Sequence, residues 1–348
     1  MKKILIVSNM YPSLDNPHFG TFVKNTYISL DKLGFFLDKV VIDKKYNGFL
    51  YKLLAYLWFY IKVVYSVIIN KYDFVYVHFV SHCSLPFILL NVIGVRPVII
   101  SHVHGGDVKL LSGRSGFFFK VKSYLSSKIL SISRTIIFPS SSYAKEITKS
   151  YSVESKNIVV YPSGGVDTSV FGYSNDNRRS KTLGYAGRLI KSKNVDLIID
   201  SLVKLEDYNL EIVGDGSEKE ELKKLVEKLN VSHRVKFLPS KSQKELSDWY
   251  QTIHALVYPS SSESLGLVPI EAMSCGAQVV LSNIPAFNEL SDIGFDIQTM
   301  PFISSDCIVT SVKNIESLSN EGRKNNSELV EEVFSSEKVK EVLLNVFK

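Results

Sequence analysis

Short apolar runs alternate along this chain with longer segments in which apolar residues recur every three or four positions. The runs fall at 4–7 (ILIV), 40–42, 73–78 (DFVYVH), 97–101 (PVIIS), 135–138 (TIIF) and 157–161 (NIVVY). After a polar interval they resume at 182–186, 210–213, 235–238, 254–258, 278–281 and 295–298. Runs this short and continuous predict strands buried on both faces, and the helical spacing between them predicts crossovers, so the pattern is βαβ with parallel sheets. The stretch 172–181 (GYSNDNRRSK) has neither period and reads as an interdomain linker. It divides the 348 residues into two α/β halves, 1–171 and 182–335, followed by a helical segment over 336–348.

One segment departs from this pattern. Residues 49–70 read FLYKLLAYLWFYIKVVYSVIIN, with Leu50, Leu53, Leu54, Leu57, Ile61, Val64 and Ile68 on one helical face. Tyr51, Trp58, Phe59 and Tyr60 spread apolar surface around the rest. The length would cross a bilayer, but Lys52 and Lys62 interrupt it and ordinary strand patterns lie on both sides. Two readings remain open: a helix lying in a membrane interface with aromatic and lysine anchors, or a large core helix of the first sheet.

The chemistry gathers where strands end. The run 254–258 passes through Pro259 into SSSESLGLVPIEAMSCG (260–276), where Ile270, Met273 and Ala277 return to helical spacing after Gly266. Strand, polar loop and helix start make a seat for phosphate, because first-turn amides are unpaired and carry the positive end of the helix dipole. Gly266 lets a ligand approach the backbone closely. Glu263 and Glu271, with seven residues between them, flank that seat. Carboxylates disfavour phosphate but accept strongly from hydroxyls, so phosphate between and hydroxyls on either side describe a nucleotide sugar. A loop carboxylate plus a surface helix glutamate would give the same bare spacing.

Other strand ends carry further candidates. Arg188 and Lys193 lie in GRLIKSKN after 182–186, a bidentate fork and a mobile point charge suited to a diphosphate, although two loop cations are also ordinary surface. Gly214 follows 210–213 in a V-G-D-G turn. In the first half, Gly20 ends the loop that follows the first strand, SNMYPSLDNPHFGTFV, which also holds Pro12 and Pro17. Such a loop lies at the carboxyl edge of a parallel sheet, where ligands bind. HVHGGDVKL after 97–101 offers His104, a hydrogen-bonding group that titrates near neutral pH, and Asp107, which either caps the next helix or faces an acceptor.

The wording of these segments resembles the family 4 retaining glycosyltransferases over nearly the whole chain. ESLGLVPIEAMSCG is similar to E-G-F-G-L-x-x-x-E-A-M-A-x-G, with Ser264 and Leu265 in place of Gly and Phe. GRLIKSKN resembles G-R-L-x-x-x-K-N, and YPSGGVDTSVF resembles P-N-G-V-D-x-x-x-F with Ser163 and Gly164 substituted. The resemblance implies two doubly wound Rossmann-like domains facing across a cleft, the GT-B architecture, with the terminal helix packing back on the first domain. It implies that Arg188 and Lys193 hold the donor diphosphate and stabilise it as it leaves, with the amides near Gly266 and Leu267. Glu263 would hold hydroxyls of the transferred sugar, Glu271 the ribose, and His104 would line the sugar pocket. Gly20 and Gly214 would lie near the diphosphate and nucleotide, and Asp107 near the acceptor. The Y-P-S…N-P-x-F-G-x-F-V wording is similar to a branch acting in bacterial capsule, O-antigen or exopolysaccharide synthesis. The expected partners are a UDP- or GDP-linked donor and a saccharide acceptor, lipid-linked if the segment 49–70 meets a membrane, with no cofactor.

Composition narrows the alternatives. The chain is 45% hydrophobic and 22% charged with a net charge of +6, which suits a globular protein with an anionic partner. The lysines form no run and the aromatics no stacking series, so nucleic acid is not expected. Cys83, Cys275 and Cys307 have no metal spacing and fit a reducing compartment. The apolar start stops at Ser8, too short for a signal peptide. The expected location is cytoplasmic, peripheral on the inner face of the membrane. There is no D-x-D pair, so metal-independent transfer is expected. The rival readings are a nucleotide-sugar epimerase or hydrolase of the same architecture and a noncatalytic membrane-surface protein. The complete set Arg188, Lys193, Glu263 and Glu271 favours transfer.

Overall fold

The structure, a computed structural model, describes residues 2–16, 19–108, 116–174, 178–315 and 320–348. The chain forms two compact units, Met1–Gly164 with Val339–Lys348, and Gly165–Lys338, each built on a six-stranded parallel sheet.

The first sheet contains β1 (Lys3–Ser8), β2 (Phe36–Val41), β3 (Phe74–His78), β4 (Ile99–His102), β5 (Thr135–Phe138) and β6 (Asn157–Val160). Its order is β2-β1-β3-β4-β5-β6, so the winding reverses between β1 and β3. The helices are α1 (Thr21–Lys32), α2 (Phe49–Ile69), α3 (Val80–Val92), α4 (Phe117–Ile132) and α5 (Ser141–Tyr151). Four consecutive apolar residues of β1 are fully buried because successive side chains point to opposite faces and both faces are covered. Ile4 and Ile6 join a cluster with Val23 of α1, whereas Leu5 and Val7 join one with Phe59 of α2 and Val80 of α3. β2 begins four residues before the apolar run at 40–42. It is an edge strand with Phe36 exposed and Asp38 and Lys39 in its middle, so its apolar signal is short.

α2 resolves the two readings of 49–70 in an unexpected way. The leucine-rich face points outward: Leu50, Leu53, Leu54, Leu57, Ile61 and Ile68 are 49–62% exposed. The helix attaches through its opposite side, where Phe59 and Val63 are buried and Tyr60 donates to the His82 carbonyl at 2.9 Å. A core helix is therefore excluded, since the aromatic side supplies the packing. The helix is long and apolar enough to cross a membrane, yet it is a crossover between parallel strands of one sheet.

The second sheet contains β7 (Thr182–Ala186), β8 (Asn209–Val213), β9 (Val235–Leu238), β10 (Ala255–Tyr258), β11 (Gln278–Ser282) and β12 (Gln298–Met300). The order β12-β11-β10-β7-β8-β9 places its reversal between β7 and β10. Around it stand α6 (Val195–Ser201), α7 (Lys219–Lys228), α8 (Gln243–Tyr250), α9 (Leu267–Ser274), α10 (Pro285–Ile293), α11 (Ser305–Ile315) and α12 (Asn320–Phe334). The last helix, α13 (Ser336–Phe347), buries Val339, Leu343 and Phe347 in the first unit, where Phe347 meets Phe74 and Tyr76 edge to face at 5.5 and 5.1 Å.

The boundary lies earlier than the polar stretch suggested. Val166 and Phe171 are in the second unit's core, and Val166 N–H donates to the Phe334 carbonyl at 2.7 Å. The described part of 172–181 is a docked strap. Arg178 donates to the Ile253 and Cys275 carbonyls at 2.7 and 3.1 Å, and Arg179 forms a fork on Glu211 at 2.7 and 2.8 Å. A strap held by arginines on another element's carbonyls has no hydrophobic period, which is why it reads as a linker. Residues 175–177 of that stretch lie outside the described residues.

Candidate functional site

In open α/β sheets the crevice forms at the carboxyl ends of strands where the winding reverses. In the second unit that is the end of β7 and β10, and both signature segments lie there. After β7, Gly187 (φ 145°) turns the chain into the loop bearing Arg188 and Lys193. This loop is laced to the one after β8: Gly187 N–H donates to the Val213 carbonyl at 3.0 Å, and Leu189 N–H to Asp215 at 2.9 Å. Gly214 (φ 144°) is required there, because a Cβ would collide with the Gly187 carbonyl.

The loop after β10 locks onto the same segment. Asn194 donates through Nδ2 to the Pro259 carbonyl at 2.7 Å and to Ser261 Oγ at 2.8 Å, and Ser261 N–H donates to the Ser192 carbonyl at 2.9 Å. The result brings together Lys193 and Glu263, seventy positions apart, as an ion pair with side chains only 10% and 15% exposed. Lys193 Nζ also stands 3.4 Å from Ser260 Oγ and 5.2 Å from the centre of the Tyr258 ring, which stacks on Tyr185 at 5.6 Å. Arg188 is exposed beside this pair, its carbonyl accepting from the Tyr185 hydroxyl at 3.0 Å.

Gly266 caps α9 with φ 90°, and a Cβ there would stand 2.5 Å from Phe287. The turn can therefore close only with glycine, presenting the amides of Leu267 and Val268, since Pro269 has no N–H. Glu271 sits half-buried on α9 beside the Tyr250 hydroxyl, and burial raises its carboxyl to about 8. At neutral pH it is largely protonated in the ligand-free protein and can donate as well as accept.

In the first unit, Gly20 (φ 81°) starts α1 with its Cβ position 2.7 Å from the Met10 carbonyl, so the loop after β1 folds tightly against itself. Phe22 on the next turn lies 4.5 Å from the His104 ring, and Phe79, itself a bulky residue at φ 53°, lies 4.9 Å from it. Asp107 does not face an opening: it is 1% exposed and accepts from Val80 N–H and His104 N–H, both at 3.1 Å. Burial lifts its carboxyl to about 7. It holds the start of α3 and the HGGD loop together, a bracing role. Burial also takes His104 down to about 3, so it does not titrate near neutral pH as expected; it acts as a neutral imidazole.

Two neighbours of His104 were not singled out from the sequence. His78 and His102 face each other in register across β3 and β4, and ring nitrogens of the three histidines lie within 4.8 Å. His78 Nδ1 and His104 Nε2 are 3.1 Å apart, and the Tyr76 hydroxyl is 2.7 Å from His102 Nδ1. Such a set could ligate an ion; the contacts present use one nitrogen of His78 and one of His102 and leave the Nε2 of each buried without a partner. The available signal was a histidine at the end of one apolar run and another just after the next.

Comparisons with known proteins bear on the family and the fold. Residues 22–170 match the family model described as Glycosyltransferase Family 4, and residues 170–299 match that of glycosyl transferases group 1. An uncharacterised glycosyltransferase of Methanocaldococcus jannaschii is 25% identical over 298 residues, 84% of this chain and 78% of the relative. The O-antigen biosynthesis glycosyltransferase WclY of Escherichia coli is 34% identical over 134 residues, 38% of this chain and 37% of the relative. Among solved structures, sucrose-phosphate synthase of Thermosynechococcus elongatus has a TM-score of 0.82 at 15% identity, covering 100% of this chain and 98% of that one. Anabaena HepE in complex with UDP has a TM-score of 0.73 at 16% identity over 99% of both chains. Matched in both halves, in sequence and in sheet order, the chain belongs to the family 4 glycosyltransferases and has the two Rossmann-like domains of the GT-B architecture.

Proposed function

We propose that this glycosyltransferase moves a sugar from a UDP- or GDP-linked donor to a saccharide carried on a lipid, with retention and without a metal. The observation that carries the reading is the joining of Lys193, Glu263 and the first turn of α9 at the reversal of the second sheet. Negative charge grows on the diphosphate as the glycosidic bond breaks, and fixed cations and helix-end amides aimed there lower the barrier. Arg188, Lys193 and the amides after Gly266 supply them. In the ligand-free state Lys193 neutralises Glu263. Once a diphosphate competes for Lys193, Glu263 is free to accept from the hydroxyls of the transferred sugar. Glu271 takes the ribose hydroxyls. The UDP held by the Anabaena neighbour supports a uridine donor.

The test is a melting-temperature comparison with UDP, GDP, ADP and dTDP, in EDTA, for wild type and Arg188→Ala. At about a hundred times its dissociation constant a nucleotide stabilises the fold by about 2.7 kcal/mol. UDP or GDP is expected to do so for wild type and much less for the variant. A protein that none of the four stabilises has no donor site of this kind.

The lipid-linked acceptor rests on the outward face of α2 and its neighbours. α2 packs on α3 and α3 on α4, and exposed apolar residues continue across them at Leu89, Val92, Phe117 and Tyr124. These three helices carry Lys52, Lys62, Lys120, Lys122 and Lys128 and no carboxylate. Apolar surface bordered by lysines on helices without carboxylates suits the interface of an anionic bilayer. Wild type is expected to float with phosphatidylglycerol vesicles, and Leu57→Glu combined with Trp58→Glu to remain at the bottom of the gradient. Equal flotation of both would remove this face from membrane contact.

A further inference from the structure

We infer that a cationic cavity at the foot of α2 seats the phosphate or diphosphate of the lipid-linked acceptor, an assignment that rests on the transfer reading above. The cavity, about 410 Å³, opens between the loops after β1 and β2 and the first turns of α2. Its volume is in the range of small-molecule sites. Lys44, Lys45 and Lys52 are among its ten lining residues and no carboxylate is. Three lysines lining one cavity without a carboxylate among its described lining residues repel one another, and a multiply charged oxyanion relieves that repulsion while taking charge-assisted hydrogen bonds.

A second observation points the same way. Asn9, 9% exposed, lines the cavity with its amide half-used: one end bonds the Tyr56 hydroxyl at 2.9 Å and the other has no partner. An amide turned end for end occupies the same space. In that orientation its carbonyl accepts from the Tyr56 O–H and its NH₂ is a buried donor without a partner at the cavity wall.

Position gives the ligand its class. Met10, which lines the cavity, touches Gly20, and Phe22 two residues on stacks against His104, so the cavity is one loop away from the histidine cluster. On its other side Lys52 begins the outward apolar face formed by Leu53, Leu54 and Leu57. An amphiphile with its anionic head among the lysines can therefore send a saccharide toward His104 and a hydrocarbon tail along α2. A nucleotide or a free sugar would use only part of that arrangement.

The probes are farnesyl diphosphate, uncharged farnesol and UDP, each titrated into the full chain and into Lys44→Ala/Lys45→Ala/Lys52→Ala. Farnesyl diphosphate is expected to bind wild type and to weaken by at least about tenfold in the variant, with farnesol indifferent to the change. UDP should stabilise both proteins equally, which also shows the variant folded. Equal farnesyl diphosphate affinity in the two proteins overturns the assignment, as does its displacement by UDP. Lost flotation on phosphatidylglycerol vesicles with unchanged farnesyl diphosphate affinity also overturns it, assigning the lysines to bilayer headgroups instead. A wild type that none of the four nucleotides stabilises sinks the transfer reading alone, because the farnesyl diphosphate comparison judges the cavity separately.

Discussion

Lys193→Ala is expected to lower kcat/KM for glycosyl transfer by about 10²–10³-fold, the usual cost of removing one group that stabilises charge in the transition state. The same change also leaves Glu263, 15% exposed, without its cation. Breaking a buried pair from one side costs about 3–5 kcal/mol, and the water reaching Glu263 puts this pair at the lower end. The two effects separate in a second variant. Lys193→Ala combined with Glu263→Gln removes the unpaired charge, so the melting temperature should recover while activity stays low. Activity of Lys193→Ala within tenfold of wild type would show that the lysine serves only to hold Glu263. The pairing also explains how a flexible lysine is kept in place before a donor arrives: Ser260, the Tyr258 ring and Glu263 surround it.

Gly214→Ala is the second large effect, and it acts through the backbone. At φ 144° an L-residue is strained, a cost of about 1–3 kcal/mol, and its Cβ meets the Gly187 carbonyl, an atom no rotamer can move. Forcing the loops after β7 and β8 apart adds about 1–3 kcal/mol and stretches the Leu189–Asp215 bond that positions the Arg188 loop. At roughly 2–4 °C per kcal/mol for a unit of this size, the melting temperature should fall by several degrees and UDP affinity with it. Gly34→Ala is the control. It also has positive φ, 85°, but nothing lies within 4 Å of its Cβ position, so only the conformational cost applies. Equal losses in the two variants would mean that the loops can separate without resistance.

Much of the proposed donor site is written locally. GRLIKSKN and ESLGLVPIEAMSCG each contain a strand end, a glycine and the charged groups that follow it, and short-range geometry carries those groups to the sheet's edge. Asp107 and His104 show the limit of that reasoning. Their chemistry was read from residue type, but burial decides it, making one a brace on Val80 N–H and leaving the other neutral. The lysines of the proposed acceptor cavity were invisible for a different reason: Lys44, Lys45 and Lys52 come together with Asn9 and Met10 only across a parallel strand pair.

By itself the sequence determined the number and nature of the strands, the parallel architecture and which segments lie at the strand ends of the candidate site. These follow from continuous apolar runs, glycines at obligatory turns and side chains a few positions apart. The tertiary structure decided where each sheet reverses, which residue seventy positions away neutralises Lys193, where one unit ends and the next begins, and which face of α2 meets solvent. Each of these depends on contacts between distant segments. For α2 the pattern of apolar residues was ambiguous because both of its sides are apolar, and only the side bearing Phe59, Tyr60 and Val63 found a neighbour to pack against.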